Sequence, residues 1–178
     1  MRKLKNSELN RKSIQEYKQS DKTPITIIMD NIRSLNNIGS IFRTGDGFLI
    51  EKVILCGISA TPPHRDIHKT ALGATESVDW EYYENTTDAV SHLKKEGYTI
   101  IAVEQAVGSI LLQDFVHTRG SSYAVIFGHE VKGISQDIVD MCDYCVEIPQ
   151  FGTKHSFNVA VSAGIVLWEI YRKTISDK

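Results

Sequence analysis

Three stretches of this sequence gather side chains suited to holding an anion or a reacting oxygen. The first, Asp30 to Phe48, reads DNIRSLNNIGSIFRTGDGF and contains Asn37 and Arg43. On a helix, Asn36, Gly39, Ser40 and Arg43 fall at i, i+3, i+4 and i+7 and share one polar face. Ile38, Ile41 and Phe42 share another and pack on a core. Arg43 therefore points away from the core, towards whatever approaches the end of the preceding strand, and Gly39 leaves a hollow near the start of that face. The second stretch, GHEVKGISQD, sets Glu130 between Gly128 and Gly133, where a carboxylate can accept hydrogen bonds from a neighbouring loop or a substrate. The third, IPQFGTKHSFN, runs from Ile148 to Asn158 and ends on Ser156 and Asn158 before a long apolar run. Ser156 stands where an N-cap would stand, and a helix start there presents free N–H groups. Each stretch has a plainer reading: an exposed arginine, a surface acid, an ordinary strand-to-helix turn. The specificity of the third string, and the asparagines beside Gly39 in the first, favour a site.

Such residues must be held by strands and helices. Six apolar runs read as strands: Ile25–Met29, Lys52–Cys56, Asp79–Tyr83, Tyr98–Val103, Tyr123–Phe127 and Tyr144–Ile148. Most are β-branched runs without alternation, the mark of a parallel strand buried on both faces. Helices are predicted over 7–18 with Ser7 as cap, from Asn36 or Asn37 to Thr44, over Thr86–Lys95, around Ile138 with Ser135 as cap, and from Ser156 to about Thr174. GISATPPHRDIHK, residues 57–69, reads as a loop whose His64, Arg65 and His68 either meet phosphates or face water. TALGATESV reads as a short helix and turn, and QAVGSILLQDF as a loop with a partial strand. Strands alternating with helices predict an α/β fold with a mostly parallel sheet flanked by helices. Ligands in such sheets collect outside the carboxyl ends of the strands. The final helix is apolar on nearly all sides, so one sheet cannot cover it, and a homodimer is the simplest source of the remaining cover.

Composition narrows the class. The 178 residues are 42% hydrophobic and 24% charged, which fits one ordinary globular domain. No apolar run reaches membrane-spanning length, and the basic start MRKLKNSELNRK has no apolar h-region, so neither a membrane protein nor a secreted one is expected and the default is cytoplasmic. Three cysteines without a signal argue against a disulfide framework. Cys142 and Cys145 form a lone C-x-x-C without two further zinc ligands at finger-like spacing, so no metal is expected and buried thiol packing is preferred to redox work. The net charge of −2 gives no global sign of nucleic-acid binding, but residues 1–22 hold seven Lys/Arg against three acids, a local +4.

Taken together, NIRSLNNIGSIFRTGDGF, FGHEVKGIS and IPQFGTKHSFNVAVSAG resemble, in order and spacing, the three signature motifs of the SpoU (TrmH-like) RNA methyltransferases of the SPOUT superfamily. The resemblance covers Ile25 to Tyr171. It implies a single SPOUT domain over 1–178, with 1–22 as a basic helical extension and 123–174 forming a cofactor-binding deep trefoil knot, an exception to the rule against threaded loops. It further implies a homodimer that binds S-adenosyl-L-methionine and methylates a ribose 2′-hydroxyl of RNA, either tRNA or rRNA. By motif position, Asn37 and Arg43, Glu130, and Ser156 and Asn158 match the family's catalytic set. Gly128, Ile148 and Phe157, with Val103, match positions that grip the cofactor through backbone groups. Phe157 stands where leucine is commoner. Many relatives carry a separate RNA-binding domain, whereas this chain offers only its basic amino-terminal helix.

Rival readings make their own demands. A non-catalytic RNA- or cofactor-binding module on the same fold would not need Arg43, Glu130, Ser156 and Asn158 intact. A doubly wound oxidoreductase would show GxGxxG after the first strand, and DNIRSLNNIG is not one. A thiol-redox protein would depend on Cys142 and Cys145.

Overall fold

A computed structural model describes residues 1–176. Among them, seven strands form one sheet: β1 (Thr23–Asp30), β2 (Ile50–Cys56), β3 (Asp79–Tyr83), β4 (Thr99–Val103), β5 (Ile110–Leu111), β6 (Tyr123–Phe127) and β7 (Tyr144–Glu147). Their spatial order is β3-β2-β1-β6-β4-β7-β5, and every paired neighbour is parallel. The six expected strands are present, and the partial strand expected within 105–115 is β5.

The helices are α1 (Ile14–Gln19), α2 (Leu35–Gly47), α3 (Arg65–Ala71), α4 (Ala74–Ser77), α5 (Thr86–Lys95), α6 (Gln136–Met141) and α7 (Val159–Ser176). The central strands are buried on both faces, and their alternate residues divide between two cores. Ile25, Ile27 and Met29 of β1 join Val125 and Phe127 of β6 against α2, α3, α4 and α7. Ile28, with Ala124 and Ile126, faces α5 and α6 on the other side. This two-sided burial is why these strands read as unbroken apolar runs.

Helix starts correct three expectations. Ser7 lies in a short 3₁₀ turn, Asn6–Glu8, and α1 begins after Ser13. Ser13 and Glu16 form a reciprocal capping box, the Ser13 N–H donating to Glu16 at 2.6 Å. The helix is not wholly on the surface, because Tyr17 is buried and its hydroxyl donates to Ile50 O. In α2 the cap is Ser34, whose hydroxyl accepts from Asn37 N, so Asn36 and Asn37 both lie inside the helix. Ser135 precedes α6 as expected, but its side chain makes no capping bond. Within 57–69, the residues from Arg65 are helical, with His64 Nδ1 accepting from Asp66 N.

Candidate active site at the carboxyl edge of the sheet

Parallel pairing places the carboxyl ends of β1, β6, β4 and β7 side by side on one edge. The three motif stretches follow β1, β6 and β7, so this topology brings them together although they lie far apart in sequence. The loop after β1 is pinned from below. Ser59 Oγ accepts from Ile32 N at 2.8 Å and donates to Met29 O, and Asn31 Oδ1 accepts from Ile58 N.

Glu130 reaches across from the β6 loop to the start of α2. One carboxylate oxygen accepts from Ser34 N at 3.0 Å and from Asn37 Nδ2 at 3.1 Å, and the other accepts from Arg33 N at 3.1 Å. Partial burial pushes its pKa up, but the N–H groups of Arg33, Glu130 itself and Ser34, with the Asn37 amide, more than offset this and hold it below the ordinary carboxylate value. Asn37 Oδ1 in turn accepts from Asn158 Nδ2 at 3.1 Å. Asn158 Oδ1 accepts from Ala160 N at 2.9 Å and from Val161 N. Asn158, not Ser156, is therefore the side-chain cap of α7, and the expectation for Ser156 is corrected. One hydrogen-bonded chain, Glu130–Asn37–Asn158, joins all three motif loops.

A second set of ties centres on Glu104, which closes β4 and carried no signal in the sequence beyond its place at a strand end. Its carboxylate accepts from Ile134 N at 3.0 Å and from Gln105 N at 2.9 Å. Gln105 Nε2 donates to His155 O at 2.8 Å. Gly133 makes the first tie possible: its φ is +67°, and a Cβ there would lie 2.2 Å from Glu104 Oε2. The β4 loop thus holds both the β6 loop and the β7 loop.

Val103, Gly128 and Ile148 end, or directly follow, the adjacent strands β4, β6 and β7 and are half-buried there. Phe157 lies out on the β7 loop, 42% exposed, and Phe151 is almost fully exposed. Among the described residues, the backbone of 149–157 makes no hydrogen bond apart from the one His155 O accepts. This run of unengaged N–H and C=O groups beside three strand ends fits a cofactor gripped through main-chain atoms. No group of three His, Cys, Asp or Glu converges on a metal-sized site among the described residues.

Arg43 stands apart. It is exposed, has no hydrogen-bond or ion-pair partner among the described residues, and lies six residues beyond Asn37, about 9 Å further along the helix. It lines an open hollow of about 600 Å³ with Ser40, Thr44, Gly47, Phe48, Lys69 and Thr70. Within one chain it is not bonded to the network at the sheet edge. Gly39 does not form the expected hollow either. Helix α3 fills that space, because a Cβ on Gly39 would lie 2.2 Å from Ile67 O and from Thr70 Oγ1. The cavity opens one turn later on α2, around Arg43.

Cys142 and Cys145 are free thiols, partly buried; the first donates to Ile138 O and the second to Glu104 O. On α7, Val159, Ala163, Val166, Leu167 and Ile170 are buried, whereas Val161, Ile165 and Trp168 are exposed along one stripe. No helix among the described residues is long and apolar enough to cross a membrane.

Comparison with known proteins gives consistent findings. The sequence model of the SpoU rRNA Methylase family matches residues 24–168. A Staphylococcus saprophyticus protein assigned to the TrmH family of tRNA/rRNA methyltransferases is 28% identical over 167 residues, which is 93% of this chain and 66% of that protein. Bacillus subtilis YacO, assigned to the same family, is 27% identical over 161 residues, 87% of this chain and 61% of its own length. The chain thus spans a little under two thirds of these relatives. Among solved structures, the A. aeolicus TrmH/SpoU tRNA modifying enzyme superposes with a TM-score of 0.81 at 22% identity, covering 92% of this chain and 82% of that one. The AdoMet-bound rRNA methyltransferase of Sinorhizobium meliloti superposes with a TM-score of 0.78 at 23% identity, covering 89% and 59%. At these identities the superpositions establish the fold.

Proposed function

The chain belongs to the SpoU rRNA methylase family, and on that premise we propose that it transfers a methyl group from S-adenosyl-L-methionine to a ribose 2′-hydroxyl of tRNA or rRNA in the cytoplasm. The observation that carries this reading is the Glu130–Asn37–Asn158 chain, which fixes the three motif loops around one edge of the sheet.

When bound, S-adenosyl-L-methionine supplies a methyl on a sulfonium whose thioether leaves uncharged, so no general acid is needed. The demand on the protein is to align a weakly acidic hydroxyl and to stabilise charge growing on its oxygen. Residues 149–157, with the strand ends at Val103, Gly128 and Ile148, present main-chain groups to the donor. Glu130 and Asn158 position the start of α2, and through it Arg43. A guanidinium offers donors and no acceptor, so Arg43 serves as a bidentate holder of the phosphate next to the target ribose and as a charge stabiliser, not as a base. Phosphate or water takes the hydroxyl proton. Ser156, exposed on the same loop, is available to the substrate.

Two copies of the chain complete the arrangement. The stripe of Val161, Ile165 and Trp168 on α7 lies beside α2, since the Trp168 and Tyr171 rings pack on Phe48 with centroids 6.3 and 5.3 Å away. A dimer across this face covers the stripe and brings Arg43 towards the partner.

The test is transfer of tritiated methyl from S-adenosyl-L-methionine to RNA from cells lacking the protein, followed by alkaline hydrolysis. A 2′-O-methyl group blocks cleavage at its own nucleotide, so the label is expected in an alkali-stable dinucleotide. Absence of label with intact cofactor binding would instead indicate a binding module; label in a mononucleotide would mean a base is methylated.

A further inference from the structure

The hollow beside Arg43 contains a second cation that the three motifs leave out. Lys69, on α3, lines it together with three hydroxyls, from Ser40, Thr44 and Thr70, and no carboxylate lines it. Its volume, about 600 Å³, falls within the range of about 300–1,000 Å³ usual for small-ligand clefts. The placement is built in. Gly39 lets the α3 backbone press onto α2, and Thr70 Oγ1 donates to Asn36 O at 3.0 Å across the crossing. Lys69 is thereby carried by a helix locked against the one that carries Arg43. Its only ion-pair partner among the described residues is Asp66, at 2.7 Å, one turn away on its own helix. Both side chains of that pair are about half exposed, so the pair is weak and screened by salt. Arg43, with no partner, and Lys69, with a replaceable one, make a positive hollow rimmed by hydroxyl groups, the chemistry that holds a phosphodiester.

Resting on the RNA-methyltransferase reading, we propose that Lys69 is a positioning residue for the RNA substrate. It holds a backbone phosphate flanking the one assigned to Arg43, so that the two cations fix the strand's direction across α2 and α3. The Ser40 hydroxyl is set to donate to the same phosphates, whereas Thr44 Oγ1 donates to Ser40 O at 2.9 Å and keeps the helix turn beneath the hollow closed. Asp66 acts as the counter-ion that the phosphate displaces.

The experiment compares wild type with Lys69→Ala, Lys69→Arg and Lys95→Ala, the last a control on α5 across the sheet. Bulk RNA from cells lacking the protein is the substrate, with tritiated S-adenosyl-L-methionine as donor, over a salt series. Lys69→Ala is expected to raise KM for RNA about tenfold with KM for the donor unchanged. It should also lower the slope of log affinity against log salt by about 0.7–0.9, the loss of one phosphate contact. Lys69→Arg should restore most of the affinity, and Lys95→Ala should match wild type. If wild type labels RNA but Lys69→Ala keeps the same KM and salt slope, the phosphate seat is overturned while the function stands. If wild type labels no RNA, the functional reading falls and the seat falls with it.

Discussion

Asn158 Nδ2 donates to Asn37 Oδ1 at 3.1 Å across 121 residues of sequence. The direction of this bond is dictated by its neighbours. Glu130 can only accept, so Asn37 must turn its NH₂ to it and present oxygen to Asn158. Asn158 must then donate, which leaves its own oxygen for the N–H groups of Ala160 and Val161. A carboxylate on one loop thus sets the polarity of a helix cap on another.

Asn158→Asp separates the cap from the network. Aspartate caps as well as asparagine but cannot donate to Asn37. Its melting temperature should stay within about 2–4 °C of wild type, the span of about 1 kcal/mol in a chain of this size. Methyl transfer should fall about tenfold or more, about 1.4 kcal/mol at the transition state. Full transfer by this variant would remove the network from the account of the site.

Glu130→Gln should cost activity with little loss of donor affinity, measured by calorimetry with S-adenosyl-L-methionine. It also carries a pH signature. Because the folded-state pKa of Glu130 is lowered, its stabilising contribution is present above the ordinary carboxylate value and is lost as pH falls through the folded value. The gap in denaturation midpoint between wild type and Glu130→Gln should be constant from pH 6 to 8 and close as pH falls below about 4.5. A gap that widened on acidification would contradict the assigned hydrogen bonds.

Gly39→Ala forces a methyl against Ile67 O and Thr70 Oγ1. The α2–α3 crossing must open, at a cost of about 1–3 kcal/mol by comparison with other overpacked sites. Thermal unfolding would show it, and an unchanged midpoint would mean α3 yields without strain.

Cys142→Ser with Cys145→Ser should leave methyl transfer within about twofold, since Cys142 bonds to Ile138 O on α6 and the Cys145 bond to Glu104 O is one that a serine hydroxyl can also make. Burial pushes Cys142 up to about 12 and raises Cys145, so both thiols should alkylate slowly at pH 8 in the native chain and rapidly in denaturant. Loss of transfer in this variant would revive the redox reading.

Trp168→Glu places a charge on the exposed stripe of α7. Sedimentation should show wild type as a dimer and the variant as a folded monomer with reduced transfer. A wild type that is monomeric at all concentrations would remove the dimer from the proposal.

The strands were legible because residues buried on both faces leave no polar punctuation, as in ITIIM and YAVIF. The ends of α5 were legible too, matching the expected Thr86–Lys95. What escaped was whatever depended on a distant partner. Ser7 and Ser156 look like caps locally, yet Ser13 wins through Glu16, and Asn158 through the bonded chain that orients it. Gly39 looked like room for a ligand because its neighbour, α3, lies in a stretch whose proline pair and histidines read as loop. Glu104 carries no local signal because its work is done on the N–H of Ile134, thirty residues away. Asn37, Glu130 and Asn158 could be read as polar groups at loop ends, but their bonding to one another needed the sheet order.

The sheet order has a further consequence for how the molecule comes into being. β1 pairs with β6, roughly a hundred residues downstream, so the middle of the sheet closes late and the contact is costly in loop entropy. β1, β2 and β3 with α2 to α4 can assemble during synthesis as a local unit. Helix α7, which follows every strand of the sheet, brings Asn158 at its start, and with it the bond that joins the β7 loop to α2. The network is therefore open until β7 and the start of α7 are both free, and it closes in one late event at the seam between β1 and β6.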